Sequence, residues 1–422
     1  MVVSMAALLP FRALRPRPAN AATVASVPYD VVTTEEARSL ADGNPRSFLR
    51  ISRAEIELPA VGDPHAETVY QRAAANFVKL RASALVVEDE PSVYFYRLQA
   101  DGHVQTGLAA CFSIDEYERN VIRKHERTRH DKEDDRTKHM IALRAQTGPV
   151  FLTYRAMSEI GALAARATAF EPLFDFEAAD GVRHSIWRVG GADRDRLVET
   201  FRAVPTLYIA DGHHRAASAA RARTALAPSR SSAPMANVAD ASDAADASTM
   251  LAVAFPHDEV RVLPYNRIVK DLEGLSPTDF LHAVRESFIV QPGPSAPNAR
   301  GQIAMYVGDQ WYSLTSRPSP AASSPQNAVG SLDVSVLQDR LLEPILGIAD
   351  IRTDKRVDFI GGARGTKQLE TLVNSGRAAV AFSLFPVSVA DLMSISDAGA
   401  IMPPKSTWFE PKLRDGLLIH LI

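Results

Sequence analysis

Cysteine is nearly absent, with Cys111 alone among 422 residues. A single thiol excludes an intrachain disulfide and any centre built from several thiolates, and it fits a reducing compartment, so a cytoplasmic location is expected. Long apolar runs are missing too. No stretch approaches the roughly 18 residues that a spanning helix needs, and no membrane partner is expected. Charge of one sign is not in excess: the formal net charge of −3 gives no global attraction to nucleic acid or anionic lipid. There is no basic reading helix, so nucleic acid is not an expected partner. The chain also lacks a Gly-x-Ser-x-Gly elbow, a Walker loop, a dinucleotide fingerprint and a His-x-x-x-His or Cys pair. Nothing therefore points to zinc, haem or flavin.

What is present is the composition of a globular protein, 46% hydrophobic and 23% charged. At this length one core rarely suffices. Three regions are expected: an N-terminal α/β region over 1–150, a region over 151–295, and a C-terminal α/β region over 296–422. The fold class is α/β or α+β, mixed sheets with helices. A first strand is expected over Leu9 to Leu14 in preference to a targeting segment, because Arg12, Arg15 and Arg17 follow the apolar stretch and do not precede it. Thr33 with Glu36 makes a capping box that starts a helix, which puts Asp30 in a strand-to-helix turn. Phe48 to Arg53 alternates like a strand. Residues 66–85 carry helical spacing, and two strands meet across Asp101-Gly102. The segment 227–249 is Ala-, Ser- and Asp-rich without apolar period and reads as a flexible loop.

Two stretches carry chemistry. The β-prone run ending at Ile209 delivers the chain to Asp211-Gly212-His213-His214-Arg215, and an Ala-rich helix follows at once. Arg215 and the helix N-terminus suit a phosphate. Asp211 could act as a base or hold Mg²⁺, and either histidine could stabilise negative charge. Between Arg123 and His139, fifteen of seventeen residues are titratable. On a helix, Arg127 with Asp131, Arg129 with Glu133, and Asp134 with Lys138 would pair, giving a solvated face. The alternative is a phosphate-binding surface, with His125, Glu126, Arg129, Lys132 and Arg136 as its groups. Near the C-terminus, the proline-rich string 402–413 with an exposed-type Trp408-Phe409 pair suggests a rigid loop that brings Lys405 and Lys412 to a site. Gly361 to Gly365 reads as a plain turn.

Six strings then agree in order with one family. They are Val27-Pro28-Tyr29-Asp30-Val31-Val32; Asn44-Pro45 with Ser47-Phe48-Leu49; His125-Glu126 with Thr128-Arg129 and Lys132-Glu133 with Asp135-Arg136; Ala210 to Arg215; Leu263-Pro264-Tyr265 with Arg267; and Met402 to Lys412. The chain resembles the bacterial and archaeal family called domain of unknown function 1015, from about Phe11 onward. Membership implies no established activity. The string Asp211 to Arg215 is also similar to the motif of free serine kinases in the ParB and sulfiredoxin-like superfamily. That resemblance implies a ParB/sulfiredoxin-like core, nucleotide phosphates bound at Gly212 to Arg215, and phosphoryl transfer assisted by Asp211. The second carboxylate it implies has Asp30, Glu35 and Glu36 as candidates. The expected function is thus phosphoryl transfer between a nucleotide and a small hydroxylated metabolite, serine among them, with Mg²⁺ as a candidate cofactor. A phosphatase and a non-catalytic nucleotide-binding or DNA-associated regulator are the alternatives, and the oligomeric state stays open.

Overall fold

The computed structural model describes residues 6–58, 62–227, 246–318 and 328–422. Of the expected flexible loop at 227–249, residues 228–245 lie outside the described residues. Contacts divide the chain into two units, not three successive regions. The first comprises 1–124, 128–260 and 411–422; the second comprises 125–127 and 261–410. Both are α/β with helices packed on sheets, so the expected fold class holds.

Among the described residues, nine strands make one sheet in the first unit. They are β1 (Leu8–Leu9), β2 (Val93–Ala100), β3 (His103–Ser113), β4 (Ile122–Arg123), β5 (Val150–Tyr154), β6 (Phe174–Glu177), β7 (Arg183–Val189), β8 (Leu207–Asp211) and β9 (Thr249–Pro256). The order is β4-β8-β5-β9-β3-β2-β7-β6, and β1 pairs with β3. Two pairings are parallel, β4 with β8 and β5 with β9; the others are antiparallel, which makes the sheet mixed. Strand β9 is buried from Thr249 through Phe255, so it reads as a continuous apolar run without alternation. The hairpin β2-β3 turns at Asp101 (φ 50°) and Gly102 (φ 74°), the positive values that a tight hairpin turn requires.

The helices that position the site are α1 (Thr34–Ala41), α2 (Leu49–Ser52), α3 (Glu67–Ala84), α4 (His130–Leu143) and α5 (His213–Leu226). The capping box at Thr33 and Glu36 is present at the start of α1. Alanines and a serine from Ala216 to Ala222 are buried along α5, and their small volume lets α4 lie close against it. Phe48 to Arg53 is not a strand. Phe48 and Ile51 enter one core cluster with α3 while Leu49 enters another with Ala37 and Ala41, so a short helix buried on two sides mimics strand alternation. The expected first strand is also divided: Leu8–Leu9 pairs with β3, whereas Leu14–Pro16 pairs with Leu85–Val87. Pro10 lies between them and lacks the N–H that a continuous ladder would use.

Among the described residues, the second unit holds a six-stranded antiparallel sheet, with strands β10 (Tyr265–Val269), β11 (Phe288–Pro292), β12 (Gln302–Val307), β13 (Gln310–Ser316), β14 (Val357–Gly361) and β15 (Val380–Leu384) in the order β11-β13-β12-β15-β10-β14. Gly361 to Gly365 leads from β14 into a helix at Gly365–Asn374 whose Leu369 and Leu372 pack on Ile268 and Ala381. A helical stretch runs from Asp333 to Leu346 with a π turn at Gln338–Leu342.

Candidate phosphoryl site in the first unit

Strand β8 ends at Asp211, where its register with β5 shifts by a bulge. Gly212 follows with φ +93°, outside the range that side-chain-bearing residues ordinarily adopt, and α5 starts at His213. A second demand falls on this glycine: a Cβ there would lie 3.0 Å from Arg215 Nε. The Arg215 guanidinium thus folds back beneath the turn and does not project from it. It is buried, it donates from Nη1 to the Pro149 carbonyl, and its Nη2 stands 3.7 Å from Asp211 Oδ2. Lys412 Nζ reaches the same Asp211 oxygen at 3.0 Å, while Asp211 Oδ1 accepts the Gly212 N–H at 2.8 Å. The carboxylate therefore sits between two cations and a backbone donor. Its charge is already balanced and both oxygens are engaged, so an ion at this carboxylate would have to compete with Lys412. The Mg²⁺ expectation for Asp211 does not fit this donor set.

Asp30 is exposed in the turn before α1, near enough to Arg215 and Asp415 to act on their charge. Of the other early carboxylates, Glu36 is spent on the Thr33 N–H of the capping box, and Glu35 sits exposed in the first turn of α1. Burial would lower the Arg215 pKa, but Asp211, Asp30 and Asp415 outweigh it and raise the value. A small cavity of about 20 Å³ is lined by Tyr29, Ser52, Arg136, His139, Arg215 and Asp415 among others. Asp415 was not foreseen. Burial pushes its carboxyl up to about 7, with Arg215 acting in the opposite sense and Asp30 in the same one. Gly148 makes room for it, because a Cβ at that position would meet Asp415 Oδ1 at 2.5 Å. Asp415 Oδ1 and Arg215 Nε are both buried without a hydrogen-bond partner among the described residues.

The titratable run resolves into different parts. Helix α4 starts only at His130, so Arg127 and Arg129 are not on it, and the pairing expected of Arg129 with Glu133 is replaced by Arg129 with Asp131. Glu133, Asp135 and His139 are buried while Asp131, Asp134 and Lys138 are exposed, so only one side of α4 is a solvated face. Asp135 accepts from Tyr70 and Arg136 and bonds His65 Nδ1 at 2.9 Å, and Arg136 stacks 4.0 Å from the Tyr29 ring centre. Arg221 takes the acids expected for the helix itself, Glu133 and Asp134. Lys132 is half-buried on α4. His139 donates from Nε2 to the Ile51 carbonyl, and burial with Arg136 pushes its pKa down to about 4. His213 is buried at the first position of α5, and His214 Nε2 accepts the Arg129 backbone N–H at 3.1 Å. His125, Glu126 and Lys405 belong to the second unit. There the Met402 N–H donates to the His125 carbonyl, Glu126 is half-buried, and Lys405 is exposed over the Tyr265 ring. The Trp408-Phe409 pair is not exposed: Phe409 is buried, and the Trp408 ring lies against Gly361.

A family model described as "Protein of unknown function (DUF1015)" matches residues 8–335. The chain belongs to the DUF1015 family. Most of the motif strings lie inside the matched span, whereas the C-terminal string 402–412 that supplies Lys412 lies beyond it. No curated protein matches the chain. Among solved structures it is similar to a conserved hypothetical protein from Pyrococcus furiosus at 11% identity and a TM-score of 0.37, over 74% of this chain and 95% of that one. It is also similar to a free serine kinase in complex with AMP at 12% identity and a TM-score of 0.36, over 73% and 92%. A third is SbnI from Staphylococcus aureus, with a C-terminal truncation, at 11% identity and a TM-score of 0.38, over 74% and 87%.

Proposed function

We propose that this DUF1015 protein is a phosphotransferase that moves a phosphoryl group from a nucleotide to a small hydroxylated metabolite, serine being one candidate. The observation that carries the reading is the Asp211 carboxylate clamped between Lys412 and Arg215 at a strand-turn-helix. Phosphoryl transfer asks a protein chiefly for positioning and for fixed positive charge where oxygens gather charge. Lys412 supplies a cation whose position is set by Asp211, and the start of α5 supplies backbone N–H groups nearby. In the reaction, the acceptor hydroxyl oxygen forms a bond to phosphorus and the bond from phosphorus to the leaving nucleotide oxygen breaks. The hydroxyl proton passes to a carboxylate of the Asp30 and Asp415 pair. A carboxyl whose pKa stands near neutrality is suited to that exchange, and a neighbouring like charge helps to keep it there. His214, through its bond to the Arg129 backbone, positions the segment that enters α4.

Purified protein incubated with ATP or ADP and a panel of small hydroxylated metabolites, read by mass spectrometry, tests the proposal. Phosphorylated acceptor is the expected product. Free phosphate without acceptor dependence would favour the phosphatase alternative, and neither product would refute the reading.

A further inference from the structure

We infer that an open groove between α3 and the turn leading into α2 is a binding site for a small oligophosphate anion, separate from the Asp211 turn. The groove has a volume of about 550 Å³, within the range of small-molecule sites. Four cations line it, Arg46, Arg50, Arg72 and Lys79, against one carboxylate, Glu57. On a chain of net charge −3 this is a local reversal of sign.

Arg50 is committed to the fold. It donates to the Asn44 and Ala41 carbonyls and to Glu57 Oε1 at 2.8 to 2.9 Å. Burial pushes the Glu57 pKa up, but Asn76 and Arg50 outweigh it and hold the group ionised. One cation and one anion therefore cancel in the floor of the groove. Arg46, Arg72 and Lys79 remain. Arg72 approaches Glu57 only at 4.0 Å, with its side chain 42% exposed. Among the described residues the side chains of Arg46 and Lys79 have no hydrogen-bond or ion-pair partner.

An ordinary solvated helix face would balance its cations with acids one turn away. Helix α3 does not: the residues four after Arg72 and Lys79 are Asn76 and Ser83, and those four before are Thr68 and Ala75. Arg72, Asn76, Lys79 and Ser83 follow one another down the flank of the helix beside its core stripe of Val69, Ala73, Phe77 and Leu80. The opposite wall is held rigidly. Asn44 Nδ2 donates to the Thr23 carbonyl, and Asn44 Oδ1 accepts the Arg46 N–H at 3.0 Å, which fixes the turn carrying Arg46. The Asn44-Pro45 string, which the Asp211 site does not use, thereby acquires a role.

The lining defines the ligand class. Among the described residues no aromatic side chain lines the groove, so these residues offer no platform for stacking a base. Two unpaired cations, Arg46 and Lys79, together with Arg72, which meets Glu57 only at 4.0 Å, match an ion with several phosphate oxygens. The inference does not depend on the phosphotransferase reading, since none of these residues belongs to that site.

Titration calorimetry of the full-length protein with tripolyphosphate at two salt concentrations tests it. Binding that weakens with salt is expected, weaker by about tenfold or more in Arg46→Ala/Lys79→Ala, as the loss of two charge-assisted contacts implies. Both residues are exposed, so the melting temperature should not move. Charge reversal at Arg72→Glu should weaken binding further, whereas Lys412→Ala should leave it unchanged. ADP binding that the same double variant weakens would identify a nucleotide as the natural source and support the site. No binding of tripolyphosphate, equal affinity for citrate, or equal affinity in the double variant would each overturn it, as would loss of binding in Lys412→Ala.

Discussion

Gly212 shows how one residue serves backbone and charge together. Its φ of +93° is costly for any L side chain, and a Cβ would also press on the Arg215 guanidinium. Gly212→Ala should lower the unfolding free energy by about 1–3 kcal/mol in denaturant titration. Lys412 tests chemistry more than stability, because its ion pair is partly solvated. If Lys412 aids the transferring phosphoryl, Lys412→Ala should reduce turnover by about 10²-fold, the scale of losing one preorganised donor. Asp415 gives a pH signature. Its folded pKa of about 7 lies above the ordinary value of 3.8, so its contribution to stability is complete below 3.8 and is lost as pH rises through 7. Asp415→Asn removes that dependence. The melting temperature of the variant relative to the natural protein should therefore rise between pH 5 and pH 8.

At the level of elements, α4 separates what the sequence reveals from what it conceals. Its charge density was visible, yet its burial was not, because the partners of Glu133 and Asp135 come from α5 and α3 through Arg221 and Tyr70. Pairing at i,i+4 is a local rule, and tertiary partners displaced it. Helix α2 misled for a similar reason, since two separate cores claim its opposite sides. By contrast, the capping box and the Asp101-Gly102 hairpin were legible because their signals are contained within a few residues. His139 ties α4 to α2 and brings a second pH effect of opposite sign. Its folded pKa of about 4 lies below the ordinary value of 6.5, so stability is complete above 6.5 and is lost as pH falls toward 4. His139→Gln should flatten that acid limb in thermal melts.

Over the whole molecule, the chain returns to its first unit at the end. Residues 411–422 supply Lys412 and Asp415, and His420–Leu421 pairs with Ala145–Gln146. This is why Asp415 escaped the sequence reading: nothing local distinguishes an Asp-Gly pair near a terminus, and its partner glycine, Gly148, is 267 positions away in sequence. The sequence-visible motif at 211–215 was correctly located as a strand-turn-helix, but the side chains around it come from distant segments. Truncation after Glu410 should lower the melting temperature as well as remove activity, because buried Leu417, Leu418 and Ile419 leave with the charged groups.

The central claim is that the Asp211 clamp serves phosphoryl transfer. Its most direct measurement is the rate at which the γ-phosphoryl of ATP passes to a hydroxylated acceptor in the natural protein and in Asp211→Asn, with folding of both confirmed by thermal melts. The account predicts acceptor-dependent transfer that falls by about 10²-fold or more in the variant. Equal transfer in both proteins, or none with any acceptor, would contradict it.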